Sequence, residues 1–158
     1  PQGILYSMKK LIITILVLVV IGIGYRLISP FFIERRVSEE LDLSAEGVQP
    51  VLVWRGLFKG FDKIHTGDGN VSVIKAGEKY IIRFEDNFNV ANGPDLYVGL
   101  GKDGEYKKGT EIAKLKGNIG SQNYEVPANI NLRDYNEVWI WCRAFSVGFA
   151  KAELSPSI

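Results

Sequence analysis

From Val51 onward, short apolar runs are cut about every ten residues by Gly, Asn, Asp and Pro, and no stretch sustains a 3.6-residue period. Such a pattern admits strands and turns and excludes a helical core. Strands are expected at "VLVW", "GLFKGF", "NVSVIK", "KYIIRFE", "DLYVGL", "EIAKLK", "QNYEVP", "EVWIWCR" and "VGFAKAEL". The segments between them, such as "TGDGN", "VANGPD" and "GKDGEYKKG", are rich in residues that tolerate positive φ. Strands this short and regularly spaced predict an all-β fold, an antiparallel β-sandwich or jelly-roll-like domain over residues 50–158. Strand–helix alternation is missing, so a Rossmann-type nucleotide site is not expected.

The amino-terminal part obeys a different rule. Lys9 and Lys10 precede an apolar run from Leu11 to Tyr25 broken only by Thr14. A helix from Leu11 to Ile28 would rise about 27 Å at 1.5 Å per residue, close to the thickness of a bilayer's hydrocarbon, with Arg26 able to snorkel at one end. Residues 8–33 are therefore expected to form one transmembrane helix, a signal-anchor. Gly22-Ile23-Gly24 offers a small-x-small cleavage pattern as the competing reading, but apolar character resumes after Arg26. Residues 1–7 read as lying upstream of a natural start at Met8. Residues 34–49 read as a juxtamembrane helix or tether. The two lysines favour a cytoplasmic amino terminus, hence a single-pass protein of the cell membrane with its globular domain extracytoplasmic.

Composition narrows the chemistry. A net charge of +1, with no basic block, argues against nucleic acid. One cysteine excludes an internal disulfide, a four-thiolate metal site and c-type haem attachment. No H-E-x-x-H, defensible Ser-His-Asp order or carboxylate pair appears, so no catalytic residue and no metal ligand set is assigned, and the chain reads as a module rather than an enzyme on its own. The oxygen-rich loop with Asp86, Asn87, Asn89, Asn92 and Asp95 departs from the EF-hand spacing and is expected to bond its own turns.

Four residues remain as candidates. His65 precedes a glycine turn and is either a ligand or a loop-bonding histidine. Alternation places Val138, Ile140 and Cys142 on one face of a strand and Trp139, Trp141 and Arg143 on the other. Cys142 is then a core hydrophobe or a redox sulfur, and the indoles are a packing layer or a platform for a flat ligand. In the next strand the same rule puts Phe145, Val147 and Phe149 on one side and Ser146, Gly148 and Ala150 on the other.

"HTGDGNVSVI", "YIIRFEDNFNVANGPDLYVGL", "LKGNIGSQNYEVP" and "VWIWCRAFSVGFAKAEL", in this order, resemble the DM-thirteen domain, the Skeletor-type electron-transfer domain that in bacteria stands behind a single membrane anchor. The resemblance spans Val53 to Leu154. It implies an extracytoplasmic β-sandwich acting in redox reactions, with haem held through the family cysteine, here Cys142. It also implies that Gly93, Pro94 and Asp95 form the family's GPD turn, that His65 occupies the family's H-x-G-x-G position, and that a redox or envelope protein is the partner. A non-catalytic surface module contacting glycan or an envelope protein, with Cys142 purely structural, is the alternative.

Overall fold

The structure, a computed structural model, describes residues 2–29, 33–42 and 49–157. Residues 30–32 of the expected anchor, residues 43–48 of the expected linker, and the two end residues lie outside the described residues. The chain forms two units, 1–33 and 34–158.

The first unit is helix α1, Gln2–Ile28, which takes in residues 2–7 as well as the apolar run. Its stretch Tyr6–Arg26 is long and apolar enough to cross a membrane. No polar stripe interrupts it, and Thr14, the break in the apolar run, returns its Oγ1–H to the Lys10 carbonyl at 3.0 Å.

The second unit is antiparallel β throughout its named strands. These are β1 (Val51–Gly60), β2 (Gly67–Asp68), β3 (Asn70–Ala76), β4 (Lys79–Phe84), β5 (Asn89–Val90), β6 (Leu96–Lys102), β7 (Glu105–Tyr106), β8 (Ala113–Lys114), β9 (Gln122–Glu125), β10 (Glu137–Cys142), β11 (Val147–Glu153) and β12 (Ser155–Pro156). The main sheet runs β7-β6-β10-β11-β1-β3-β4-β9, with β12 added on β1 and β8 on β6, while β2 and β5 make a separate ribbon. Strand β1 joins the halves: Val51–Leu57 pairs with β3, and Phe58–Gly60 pairs with β11. The sheet curls about this strand, so Val71, Val73, Ile82 and Phe84 of one half share a core with Val98, Leu100, Val138, Ile140 and Ala152 of the other. This is the expected sandwich, built from one folded-over sheet. Each such side chain taken fully out of water contributes about 1.5–3 kcal/mol.

Three expected strands differ in extent. "VLVW" and "GLFKGF" form the single strand β1, because Gly56 fits where a Cβ would come 2.7 Å from the Glu153 carbonyl oxygen. "EIAKLK" contracts to two residues, β8. Ile33, expected in the anchor, lies beyond α1, and residues 34–42, expected as helix or tether, are extended where Arg36 bridges to Ile119 and the Val37 N–H donates to the Ile119 carbonyl at 2.9 Å.

Candidate functional site

The family-type residues gather at one end of the sandwich. Cys142 closes β10, opposite Leu96 of β6 and Val147 of β11, and is completely buried with Val138 and Ile140 on the core face that alternation predicts. Its neighbour Arg143 donates its backbone N–H to the Asp95 carbonyl at 3.0 Å and its Nε–H to the Asp95 carboxylate at 3.0 Å, and lies 4.4 Å over the Tyr97 ring. The turn Gly93-Pro94-Asp95 is thereby fastened to the end of β10. Gly93 is required there, since a Cβ would fall 2.8 Å from Leu96 and 2.9 Å from Phe149.

Phe149 connects this turn to His65, whose ring packs edge-on against it at 4.7 Å. Alternation misplaces one residue of this strand. The register between β10 and β11 shifts after Ile140, setting Gly148 opposite Trp141 and Ala150 opposite Ile140, with Phe149 as the extra residue. Ala150 therefore joins Phe149 in the core instead of sharing the outer side with Gly148. Phe145 leaves the strand for the hairpin turn and is exposed.

His65 is held by a residue the sequence reading passed over. Asp62 accepts the backbone N–H groups of Ile64 and His65, each at 2.7 Å, and its second oxygen sits 2.7 Å from His65 Nδ1. The i, i+3 spacing was the available signal. A carboxylate on Nδ1 orients the ring and leaves Nε2 as the free ligand position, the arrangement common behind metal-bound imidazoles. The His65 backbone N–H bond, then the His65 ring, then the Ile64 N–H hold the Asp62 carboxyl down at about 2. Its folded value lies below the unfolded one near 3.9, so its contribution is complete above about pH 4 and disappears as pH falls toward 2. The protection factors of the Ile64 and His65 amides, which remove the intrinsic pH dependence of exchange, are expected to fall over that window in the parent chain and to be low throughout in Asp62→Ala; a protected loop in the variant would contradict this.

The tryptophans lie on the opposite face of β10, away from the sulfur. Three glycines make their floor: a Cβ at Gly148 would come 2.6 Å from Phe61 and 2.9 Å from Trp139, one at Gly99 would come 2.8 Å from Tyr106, and one at Gly101 would fall on the Trp139 indole nitrogen. Trp141 stacks on Tyr106 at 4.2 Å with planes 4° apart, and Trp139 meets Trp141 at 6.3 Å, Tyr106 at 6.0 Å and Phe61 at 5.1 Å. Trp139 is 5% exposed and donates its Nε1–H to Glu137 at 2.9 Å; Glu137, itself 2% exposed, also receives Lys151 Nζ at 2.6 Å and the Gly104 N–H at 3.0 Å. The structure thus brings Trp139 and Trp141 together, joins His65 to the GPD turn through Phe149, and keeps the indoles apart from Cys142.

Among the described residues no three His, Cys, Asp or Glu side chains are grouped to hold an ion. In the Asn-rich loop, Asn87 accepts the Asn70 N–H at 2.9 Å and Asp95 is paired with Arg143. A haem on Cys142 would need the sulfur open on its outer side, with a flat slot beside it. The thiol is instead sealed in one cluster with Leu96, Ile140 and Phe149. The described clefts open beside Arg55, Lys59 and Lys151 and beside Asp103 and Glu137, and Cys142 lines none of them. As packed, the residues around Cys142 do not fit a haem.

A lone thiol under a sealed core, an oriented imidazole at the rim and a stacked aromatic outer face define a one-core β module without hydrolytic machinery among its described residues. Residues 58–154 match the family described as Electron transfer DM13, most of the compact unit and more than half of the chain, and the chain belongs to that family. Neither a curated protein nor a solved structure matched the chain.

Proposed function

We propose that this protein is a membrane-anchored, extracytoplasmic electron-transfer module that passes single electrons to or from a redox protein of the envelope. The observation that carries the reading is the electron-transfer family match over nearly all of the β unit, in a chain whose α1 is long and apolar enough to span a bilayer. Lys9 and Lys10 ahead of the apolar run support the outward orientation of the domain. Of the two donors that the family resemblance singles out, His65 is the one at the rim, 22% exposed and oriented by Asp62, so an exogenous group would meet Nε2 before it met the Cys142 sulfur.

Cells that make the full chain are expected to reduce external ferricyanide, which does not cross membranes, faster than cells that lack it; equal rates would overturn the reading. Protease added to spheroplasts should remove the β domain while α1 stays in the membrane after carbonate extraction. A domain released as soluble protein, or one protected from protease, would contradict the anchor or its orientation. Haem added to the full chain is expected to give no Soret band that depends on Cys142; a band lost in Cys142→Ser would mean that the core opens around the sulfur.

The binding-module reading draws on a specific observation as well: Ile64 and Phe145 are 76% and 63% exposed. Ferricyanide reduction no faster than in cells lacking the chain, together with cross-linking to an envelope protein that is lost in a double Ile64→Ser, Phe145→Ser variant, would favour it.

A further inference from the structure

Tryptophan and tyrosine are, with cysteine, the side chains that most readily give up one electron. In this domain three of them touch in series on the outer face of β6, β10 and β11: Tyr106 on Trp141, and Trp139 against both. Electron exchange between rings falls steeply with separation, so contact pairs exchange fastest, and a coplanar stack lets a positive hole spread over two rings. The Tyr106–Trp141 stack is the most nearly coplanar of the aromatic pairs described; Trp54 and Tyr80, by comparison, are 5.9 Å apart and tilted by 32°.

Losing an electron also makes an indole N–H or a phenol O–H strongly acidic, so a useful relay needs a base at its end. Both ends carry a carboxylate. Trp139 Nε1–H points at Glu137, and the Tyr106 O–H donates to Glu111 at 2.8 Å. The two bases differ in capacity. Glu137 already receives Lys151 and the Gly104 N–H, whereas among the described residues the Tyr106 phenol is the one hydrogen-bond donor to the Glu111 side chain. Tyr124, by contrast, donates to the Gln122 amide oxygen, a poor proton acceptor. Burial first, then the Glu111 bond, push the Tyr106 phenol well above its ordinary value, so it rests protonated, with Glu111 in place to take the proton when the electron leaves.

We propose that this face is a one-electron relay in which an oxidised, high-potential metal centre of a partner protein takes an electron from the Trp141–Tyr106 stack, and the hole settles as a neutral tyrosyl radical at Tyr106 with its proton on Glu111. The phenolic O–H breaks, its proton passes to a Glu111 carboxylate oxygen, its electron reduces the partner's metal by one unit, and Tyr106 is left as the radical. An electron from a second, reduced metal centre of lower potential restores the phenolate, oxidising that metal by one unit, and the phenolate takes the proton back from Glu111. Trp139 exchanges the hole with the stack and extends the route toward Phe61 on the β1 side. The relay rests on the electron-transfer reading and supplies its path.

The test is flash-quench oxidation of the full chain in lipid nanodiscs, with a ruthenium polypyridyl photosensitiser and a sacrificial quencher, read by transient absorption and electron paramagnetic resonance. The parent protein is expected to yield a neutral tyrosyl radical, Tyr106→Phe a tryptophanyl radical in its place, and Trp141→Phe a lower tyrosyl yield. Glu111→Gln should slow tyrosyl formation roughly a hundredfold, the usual size of a positioned base's contribution. The Phe variants keep a stacked ring, and near-ultraviolet circular dichroism checks that they fold. A tyrosyl signal that survives Tyr106→Phe, or a rate indifferent to Glu111→Gln, overturns the relay. The artificial oxidant needs no natural partner, so that failure leaves the ferricyanide result standing. Equal ferricyanide rates with an intact flash-formed radical would instead remove the electron-transfer reading alone.

Discussion

Glu137→Ala is expected to destabilise the β domain by about 3–5 kcal/mol, the cost of breaking a buried ion pair by removing one partner. The side chain opens β10 at 2% exposure and serves three donors from three places: the Trp139 indole, the Lys151 ammonium on β11, and the Gly104 amide in the β6–β7 hairpin. That hairpin is a two-residue loop in which Asp103 and Gly104 both have positive φ, 55° and 87°, the primed geometry that matches strand twist. Alanine would leave an indole N–H and a backbone N–H without acceptors inside the packed layer, at about 1–3 kcal/mol each, besides leaving Lys151 with the exposed Glu153 as its carboxylate partner. The hairpin also carries Tyr106, so Glu137 ties the phenol ring of β7 to the indole rings of β10. All three tryptophans lie in the β unit, so their fluorescence during denaturant unfolding of the full chain reports that unit alone. Glu137→Gln, which retains an amide oxygen for one or two of the donors, should fall between parent and alanine. A loss under about 1 kcal/mol in Glu137→Ala would mean that water replaces the carboxylate and that the layer is looser than its packing indicates.

The parts of this architecture that depend on local rules were legible in the sequence. Alternation along "EVWIWC" separated Cys142 from Trp139 and Trp141, and the glycine, asparagine and proline clusters marked the turns. Ordered blocks of the DM-thirteen kind identified the family without any structure. The remainder is set by contacts distant along the chain. Glu137 meets Gly104 across 33 positions, and Tyr106 reaches Trp141 only because β6 pairs with β7 on one edge and β10 on the other. The bulge at Phe149 inverts the expected side of Ala150, and no residue type in "SVGFAKAEL" signals it, because the shift serves the packing of Phe149 against Gly93 and His65. Gly56 read as the first residue of a second strand, after Arg55. Its role is the close passage of β1 by the Glu153 carbonyl, visible only once β11 lies alongside. Cys142 shows the same limit from another side: periodicity and family resemblance both drew attention to the sulfur, but whether its outer side is open or sealed depends on Leu96, Val147 and Phe149 arriving from elsewhere.

Gln122→Leu is expected to cost a comparable amount, on the order of 4 kcal/mol, although it exchanges a fully buried amide for a hydrocarbon of nearly the same volume. Gln122 Oε1 accepts the Gly117 N–H at 3.0 Å and the Tyr124 O–H at 2.6 Å, while Nε2 donates to the Gly117 carbonyl at 2.9 Å and the Gly120 carbonyl at 3.2 Å. Leucine fills the space and satisfies none of these four groups, so the loss is one of hydrogen bonding rather than packing. The loop it would free, 117–120, is the one on which the incoming segment docks: Val37 donates to Ile119, Glu39 donates to Ser121, and Cβ atoms at Gly117 and Gly120 would collide with the Arg35 and Val37 carbonyl oxygens. Glu39 completes the attachment through Lys116 at 2.8 Å and the Asn123 N–H at 2.9 Å. A single buried amide therefore holds both a strand connection and the anchorage of residues 34–39. Unfolding should shift as stated, and hydrogen exchange at Val37 and Glu39 should rise well below the unfolding midpoint, because the freed loop opens before the core does. A Gln122→Leu protein that retains both its midpoint and its protection at Val37 would mean that loop 117–120 keeps its shape without the amide and that the docking rests on the bonds of Val37 and Glu39 themselves. In that event the segment that follows α1 would be held mainly by backbone hydrogen bonds, and raising ionic strength should weaken only the exposed Glu39–Lys116 pair, worth about 0–1 kcal/mol.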